Sequence, residues 1–208
     1  HVLRGMDGGE VRDELVEALE KAIAENDGDV AGFISSPYHH TIFSDNEMPA
    51  EGYWQKVQAL LNKKGIVLIM DDVRCGFRLH LGGSNELFGF KPDLICFCKA
   101  IGNGYPISAM VGSDALRGAA AKVFHTGSYW YSAGPMAAAL ATLQELKRMD
   151  GPAVLHATGK KLNDGLVEVA KTHGFDLKIT GDPGMAYYRI TDDPTLMLHQ
   201  QWCAECTL

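Results

Sequence analysis

Two short apolar runs that end on charge constrain this chain more than any other feature. Residues 65–70 read Gly-Ile-Val-Leu-Ile-Met without a polar interruption and stop at Asp71-Asp72. Residues 94–98 read Leu-Ile-Cys-Phe-Cys and stop at Lys99. A continuous apolar run, rather than an alternating one, is what a strand buried on both faces of a parallel sheet looks like. Burying a charge is costly unless the charge is paired or used. Charged residues at the ends of two such strands therefore point to the carboxyl edge of an open α/β sheet, where ligands bind.

The sequence around these runs has helical spacing. Residues 10–26 carry Val11, Leu15, Ala18, Leu19 and Ile23 on one face, and residues 49–64 carry Tyr53, Val57, Leu60 and Leu61. Both spacings predict amphipathic helices. An Ala-rich helix is expected over 134–148 and another over 153–173. Residues 30–35 form an apolar strand stopped by Ser36-Pro37, and a fourth strand is expected over 108–111. Alternation near 177–180 and 185–190 suggests strands of a smaller α+β piece. Strands alternating with long helices imply an α/β fold with a mostly parallel sheet flanked by helices. A boundary near Asp150-Gly151-Pro152 would divide a large domain over 1–150 from the start of a small α+β C-terminal domain over 151–208.

Composition excludes several function classes. The net charge of -7 gives no electrostatic footprint for nucleic acid or an anionic membrane. No apolar run approaches the roughly 18 residues that span a bilayer, and no basic-then-apolar leader is visible. The five cysteines are an odd number, and Cys96 and Cys98 sit in a strand-like run. Reduced thiols and a cytoplasmic location are expected from that usage. Cys203-Ala204-Glu205-Cys206 has CxxC spacing but no second pair, so a metal or redox role competes with two thiols one turn apart on a helix. No metal site is expected. The chain begins at His1 and stops at Leu208 inside an expected helix, so it reads as an internal stretch of a longer polypeptide. A nucleotide-binding or non-catalytic α/β module is a third class, but no GxGxxG follows the first strand and no GxxxxGK[ST] occurs.

Lys99 follows an apolar strand and precedes a glycine-rich turn over 101–106. There its amine is expected to be desolvated, which would make it a nucleophile toward carbonyls. The alternative is a lysine snorkelling out at a strand end.

Three segments carry a family resemblance. Leu68-Ile69-Met70-Asp71-Asp72-Val73-Arg74-Cys75-Gly76-Phe77-Arg78 resembles the strand-D-E-V-x-x-G-F-R segment of class III aminotransferases and of glutamate-1-semialdehyde aminomutase-like enzymes. Pro92-Asp93-Leu94, continued by Lys99-Ala100-Ile101-Gly102-Asn103-Gly104-Tyr105-Pro106, resembles their lysine segment. His125-Thr126-Gly127-Ser128-Tyr129 and the helix after it resemble their phosphate-contacting loop. The three occur in the family's order, and the resemblance covers residues 31–190.

This resemblance implies the large domain of the fold type I transferases that depend on pyridoxal 5'-phosphate (PLP). It implies Lys99 as the Schiff-base lysine, Asp71 as partner of the pyridine nitrogen, and Val73 against the ring face. Ser128, with Thr126 as a competing assignment, would contact the cofactor phosphate. The implied activity is that of an aminotransferase or aminomutase, with a small-molecule amino donor and a carbonyl acceptor as partners. A homodimer is implied as well. A racemase, epimerase or decarboxylase of the same fold, or a non-catalytic member, stays open.

The sequence departs from the family pattern in places. Asp72 stands for a glutamate, which a structural hydrogen bond would tolerate. Arg74 stands for a frequent glutamine, as in the aminomutase-like branch; a substrate carboxylate or a salt bridge would suit it. Ser36-Pro37 replaces Glu-Pro. His39-His40 would line the substrate mouth or be ordinary surface residues. The family's upstream phosphate-binding turn has no counterpart here, so this stretch alone is expected to bind PLP poorly.

Overall fold

A computed structural model describes residues 11–26, 28–38, 40 and 44–207. The chain divides into two compact units. The first comprises the chain up to Pro37 together with Pro49–Gly151; the second comprises Tyr38–Met48 and Pro152–Leu208.

The first unit contains α1 (Val11–Glu25), β1 (Gly32–Ser35), α2 (Tyr53–Lys64), β2 (Val67–Asp71), α3 (Ser84–Phe88), β3 (Leu94–Phe97), β4 (Ala109–Gly112), α4 (Arg117–Ala120) and α5 (Ala133–Met149). The sheet order is β1-β2-β3-β4. β1, β2 and β3 are parallel, and β4 returns antiparallel to β3. The expected α/β fold and its mostly parallel sheet are present.

Local chemistry sets the element ends. α2 starts after Gly52 (φ 78°) and stops at Gly65 (φ 68°), whose N–H donates to the Asn62 and Leu61 carbonyls. Both glycines adopt the left-handed region that favours a residue without Cβ. The helix is therefore shorter than the 49–64 expected from apolar spacing. Asp93 stitches β3 to β2: the Leu68 N–H donates to its carboxylate at 2.9 Å, and its own N–H donates to the Leu68 carbonyl at 2.8 Å. The short helix α3 has no counterpart in the apolar pattern, because its start is held by the Asp72 carboxylate, twelve residues before Ser84.

The continuous apolar strands do not bury both faces. One face presents Leu68, Met70 and Phe97, which are buried. Leu68 and Met70 pack with Leu19 and Ile23 of α1 and with Trp54, Val57, Leu60 and Leu61 of α2. Phe97 packs with Phe77, Ile101 and Ala139 of α5. The other face presents Ile34, Val67, Ile69, Leu94, Cys96 and Met110, all half-buried or exposed. None of these six belongs to a buried cluster. The helices of this unit thus supply one covering layer, where the sequence pattern anticipates two.

The second unit contains α6 (Gly151–Thr172), the antiparallel pair β5 (Leu177–Thr180) and β6 (Tyr187–Ile190), and α7 (Met197–Glu205). Segment 38–48 joins it through polar contacts. Asn46 donates its N–H to Thr180 Oγ1 at 2.8 Å. Asp45 accepts from Arg189 at 2.8 and 2.9 Å and pairs with Lys178 at 2.7 Å.

Candidate active site

β2 and β3 are neighbouring parallel strands with Asp71 opposite Cys96. Asp71 is the last residue of β2, and Lys99 lies two residues beyond the end of β3. Both therefore sit at the carboxyl edge, on strands about 4.8 Å apart.

Asp71 is half-buried, and its Oδ1 accepts the Val73 N–H at 3.2 Å. Among the described residues its second oxygen takes no hydrogen bond. Asp72 points the other way and is fully buried. Its carboxylate accepts the Ser84 N–H at 2.8 Å and the Ser84 hydroxyl at 2.5 Å. Burial pushes the Asp72 carboxyl above the ordinary aspartate value, against the lowering effect of the Ser84 bonds. The two adjacent acids thus do different work: Asp72 holds the start of α3, and Asp71 faces the sheet edge.

The turn after β2 folds back on β3. Gly76 donates its N–H to the Asp72 carbonyl at 2.8 Å. A Cβ at Gly76 would lie 2.6 Å from the Phe97 ring and 2.7 Å from that carbonyl, so only glycine fits. Phe77 takes φ 65° and packs its ring 4.7 Å from Phe97. A left-handed phenylalanine costs about 1 kcal/mol, which burial against Phe97 offsets. Arg74 is half-buried in the same turn, and its carbonyl accepts from Arg78 at 3.0 Å.

Lys99 opens a single 3-10 turn, Lys99–Ile101, with φ 46°. Its carbonyl accepts the Gly102 and Asn103 N–H groups, both at 3.2 Å. Ile101 is buried beneath, anchoring the turn against Phe97 and α5. The lysine side chain itself is exposed and makes no ion pair among the described residues. The desolvated amine expected from the sequence is therefore absent in this chain. The apolar run before it packs on one sheet face only, and the turn carries Lys99 beyond that packing.

Thr126 and Ser128 lie on an exposed stretch between α4 and α5. No hydrogen bond joins either hydroxyl to Asp71, Val73 or Lys99. The structure gathers Asp71, Val73 and Lys99 at one edge and leaves the two hydroxyls outside it. His39 lies outside the described residues; His40 belongs to the second unit, with its ring 5.0 Å from that of Tyr38. Sequence reasoning missed the capping role of Asp72 on Ser84 and the clamp made by Asp93. An acid just before a strand, as in Pro92-Asp93, was the available signal for the clamp.

Among the described residues no cluster of three or more His, Cys, Asp or Glu could hold a metal. No described helix is long and apolar enough to cross a membrane. The residues present do fit PLP at its ring and aldehyde ends. A strand-end carboxylate with an uncommitted oxygen suits a protonated ring nitrogen, and an exposed primary amine suits an aldehyde.

Comparison with known proteins points to one family and fold. The model of the class-III aminotransferase family matches residues 5–193. An aminopentol aminotransferase of Sphingopyxis macrogoltabida is 37% identical over 190 residues, covering 91% of this chain and 45% of the relative. A glutamate-1-semialdehyde 2,1-aminomutase of Opitutus terrae is 36% identical over 180 residues, covering 85% of this chain and 42% of the relative. The solved PLP internal-aldimine form of the FumI protein of Sphingopyxis sp. MTA144 superposes with a TM-score of 0.87 at 37% identity, covering 92% of this chain and 46% of that one. The chain thus spans less than half the length of these relatives.

Proposed function

The chain belongs to the class III aminotransferase family, and from that premise we propose that the protein moves an amino group between an amino compound and an oxo acid or aldehyde. The observation that carries this reading is the pairing of Asp71 and Lys99 at the ends of adjacent parallel strands. When bound, PLP supplies an electrophilic carbonyl and an electron sink for charge developing at the substrate carbon.

The roles of this chain's residues follow. Asp71 holds a proton on the ring nitrogen through its free carboxylate oxygen, while the Val73 N–H fixes the carboxylate rotamer through Oδ1. Val73 would pack against the ring face. Lys99 supplies the amine that carries the cofactor covalently. The same amine would also move a proton at the substrate carbon. Ser128 or Thr126 donates a hydroxyl to the phosphate. Arg74, in the turn beside Asp71, meets either a substrate carboxylate or a salt-bridge partner.

The domains proposed are 1–150 for the cofactor and 151–208 for the start of the small domain. The homodimer is proposed on the exposure of the Thr126–Ser128 stretch with Tyr129, Trp130 and Tyr131. A cytoplasmic location is proposed on the free state of the described cysteines.

The test is reduction with borohydride in the presence of PLP, read by mass spectrometry of peptides. The adduct is expected on the peptide containing Lys99 and absent from Lys99→Ala; an equal adduct in that variant would sink the reading. Incubation with an amino donor then separates the alternatives. Amino transfer leaves the cofactor as pyridoxamine phosphate, which racemisation would not. An aminomutase completes turnover with no added carbonyl acceptor, and a transaminase needs one.

A further inference from the structure

The Cys203-x-x-Cys206 pair, which the amino-transfer reading does not use, lies in a built setting in the second unit. Cys203 is on α7 and Cys206 caps its C-terminal end. Cys203 Sγ is 3.6 Å from His199 Nε2, one helical turn away. His199 Nδ1 is buried and has no hydrogen-bond partner among the described residues. Among the described residues the thiol is the one polar contact of the imidazole. The His199 backbone is held separately, by its N–H donating to Asp193 at 2.8 Å.

A recess of about 220 Å³ opens between β6 and α7, lined by Tyr187, Tyr188, His199, Trp202, Cys203 and Cys206. The imidazole is 6.2 Å from the Tyr187 ring and 5.9 Å from the Trp202 ring. Residues three apart on a helix have Cα atoms about 5 Å apart, within the range a disulfide spans. Both thiols are free and exposed.

We propose that Cys203 and Cys206 are a dithiol site that reduces small organic disulfides with an aromatic or apolar arm. Cys203 gives its proton to His199 Nε2, and the thiolate attacks one sulfur of the disulfide. The substrate S–S bond breaks, and one half leaves as a thiolate that takes the proton from His199. Cys206 then loses its proton to water and attacks the Cys203 sulfur, breaking the mixed disulfide and releasing the second half as a thiolate that takes a proton back from water. Two protein thiols are oxidised to one disulfide while the substrate disulfide is reduced to two thiols. The apolar aromatic wall selects the arm, and His199 stands beside Cys203 to take its proton. The inference is independent of the amino-transfer reading, since none of its residues takes part there.

The test uses the intact polypeptide without oxygen and dithiobis(nitrobenzoate) as the aromatic disulfide. Released thiol is followed with time, and the peptide that follows Arg189 is weighed. The wild-type peptide is expected to lose two hydrogens and carry no adduct. Cys206→Ser should stop at a mixed disulfide on Cys203 with a single thiol released. His199→Gln, with unchanged circular dichroism, should slow the first release roughly tenfold. Cys75 serves as an internal control, because burial pushes its thiol up to about 12 and should leave it unlabelled. Adducts on both cysteines of the wild type would overturn the proposal. So would a first release as fast in His199→Gln, or no faster than in urea-unfolded chain.

Discussion

Asp71 and Asp72 differ by one position and face opposite environments. The buried Asp72 accepts two hydrogen bonds from Ser84. Removing it in Asp72→Ala leaves a buried N–H and a hydroxyl without an acceptor, at a cost of about 2–4 kcal/mol in urea unfolding. Its pH dependence runs opposite to that of an ion-paired acid. The folded-state value is raised by burial, so the folded form takes up a proton more readily than the unfolded chain. The stabilisation is fully present below the unfolded value of about 3.9 and is lost as pH rises through the folded value. Asp72→Asn retains one acceptor and cannot ionise. Its urea midpoint is expected to fall less between pH 4 and pH 8 than the wild type's; an equal fall in both would remove Asp72 as the cause. Gly76 carries a parallel expectation. A methyl there would press on Phe97 and the Asp72 carbonyl, so Gly76→Ala should cost about 1–3 kcal/mol, measured the same way.

At the scale of elements, segment 38–48 is attached to β5 and β6 by hydrogen bonds and charge. The Arg189 fork and Lys178 hold Asp45, and the Arg189 bond is the main reason its carboxyl lies lowered to about 2. A depressed carboxyl gives stability that is present above the unfolded value of 3.8 and lost as pH falls toward about 2. Solvent screens this partly exposed cluster, so Arg189→Ala should cost about 1 kcal/mol near neutral pH. The difference from wild type should shrink in urea melts as pH falls toward about 2. A constant difference across that range would assign the effect to lost packing of the arginine stem. This attachment also marks where the sequence stops being legible. β2 and β3, their parallel direction and the charges at their ends are readable, because apolar runs and strand-end charges are local signals. The approach of residue 45 to residue 189 depends on a pairing 144 positions apart, which no periodicity encodes. α3 was missed for the same reason, since its start is held by Asp72, just past the end of β2. The site was legible as residue types at strand ends. The solvent exposure of Lys99 was not, because it depends on what packs over the edge.

For the whole molecule, the two faces of the first unit's sheet make opposite claims about solvent. Leu68 is 1% exposed and Ile34, on the first strand, is 62% exposed. Both are β-sheet aliphatics that the sequence pattern treats alike. Truncating them therefore has very different consequences. Leu68→Ala removes buried methyl groups and leaves a cavity, at about 2–5 kcal/mol. Ile34→Thr changes a solvent-facing position and should stay within about 0.5 kcal/mol. Urea unfolding of this 208-residue chain at two protein concentrations reads both. The exposed face also carries Met110 at 55% and half-buried Ile69 and Leu94, an apolar surface of the kind that associates. A small, concentration-independent cost for Ile34→Thr means the face is wet in the chain as described. A cost near that of Leu68→Ala that grows with concentration means that copies of the chain bury the face against each other. In that case Ile34→Lys should return the chain to a monomer in sedimentation.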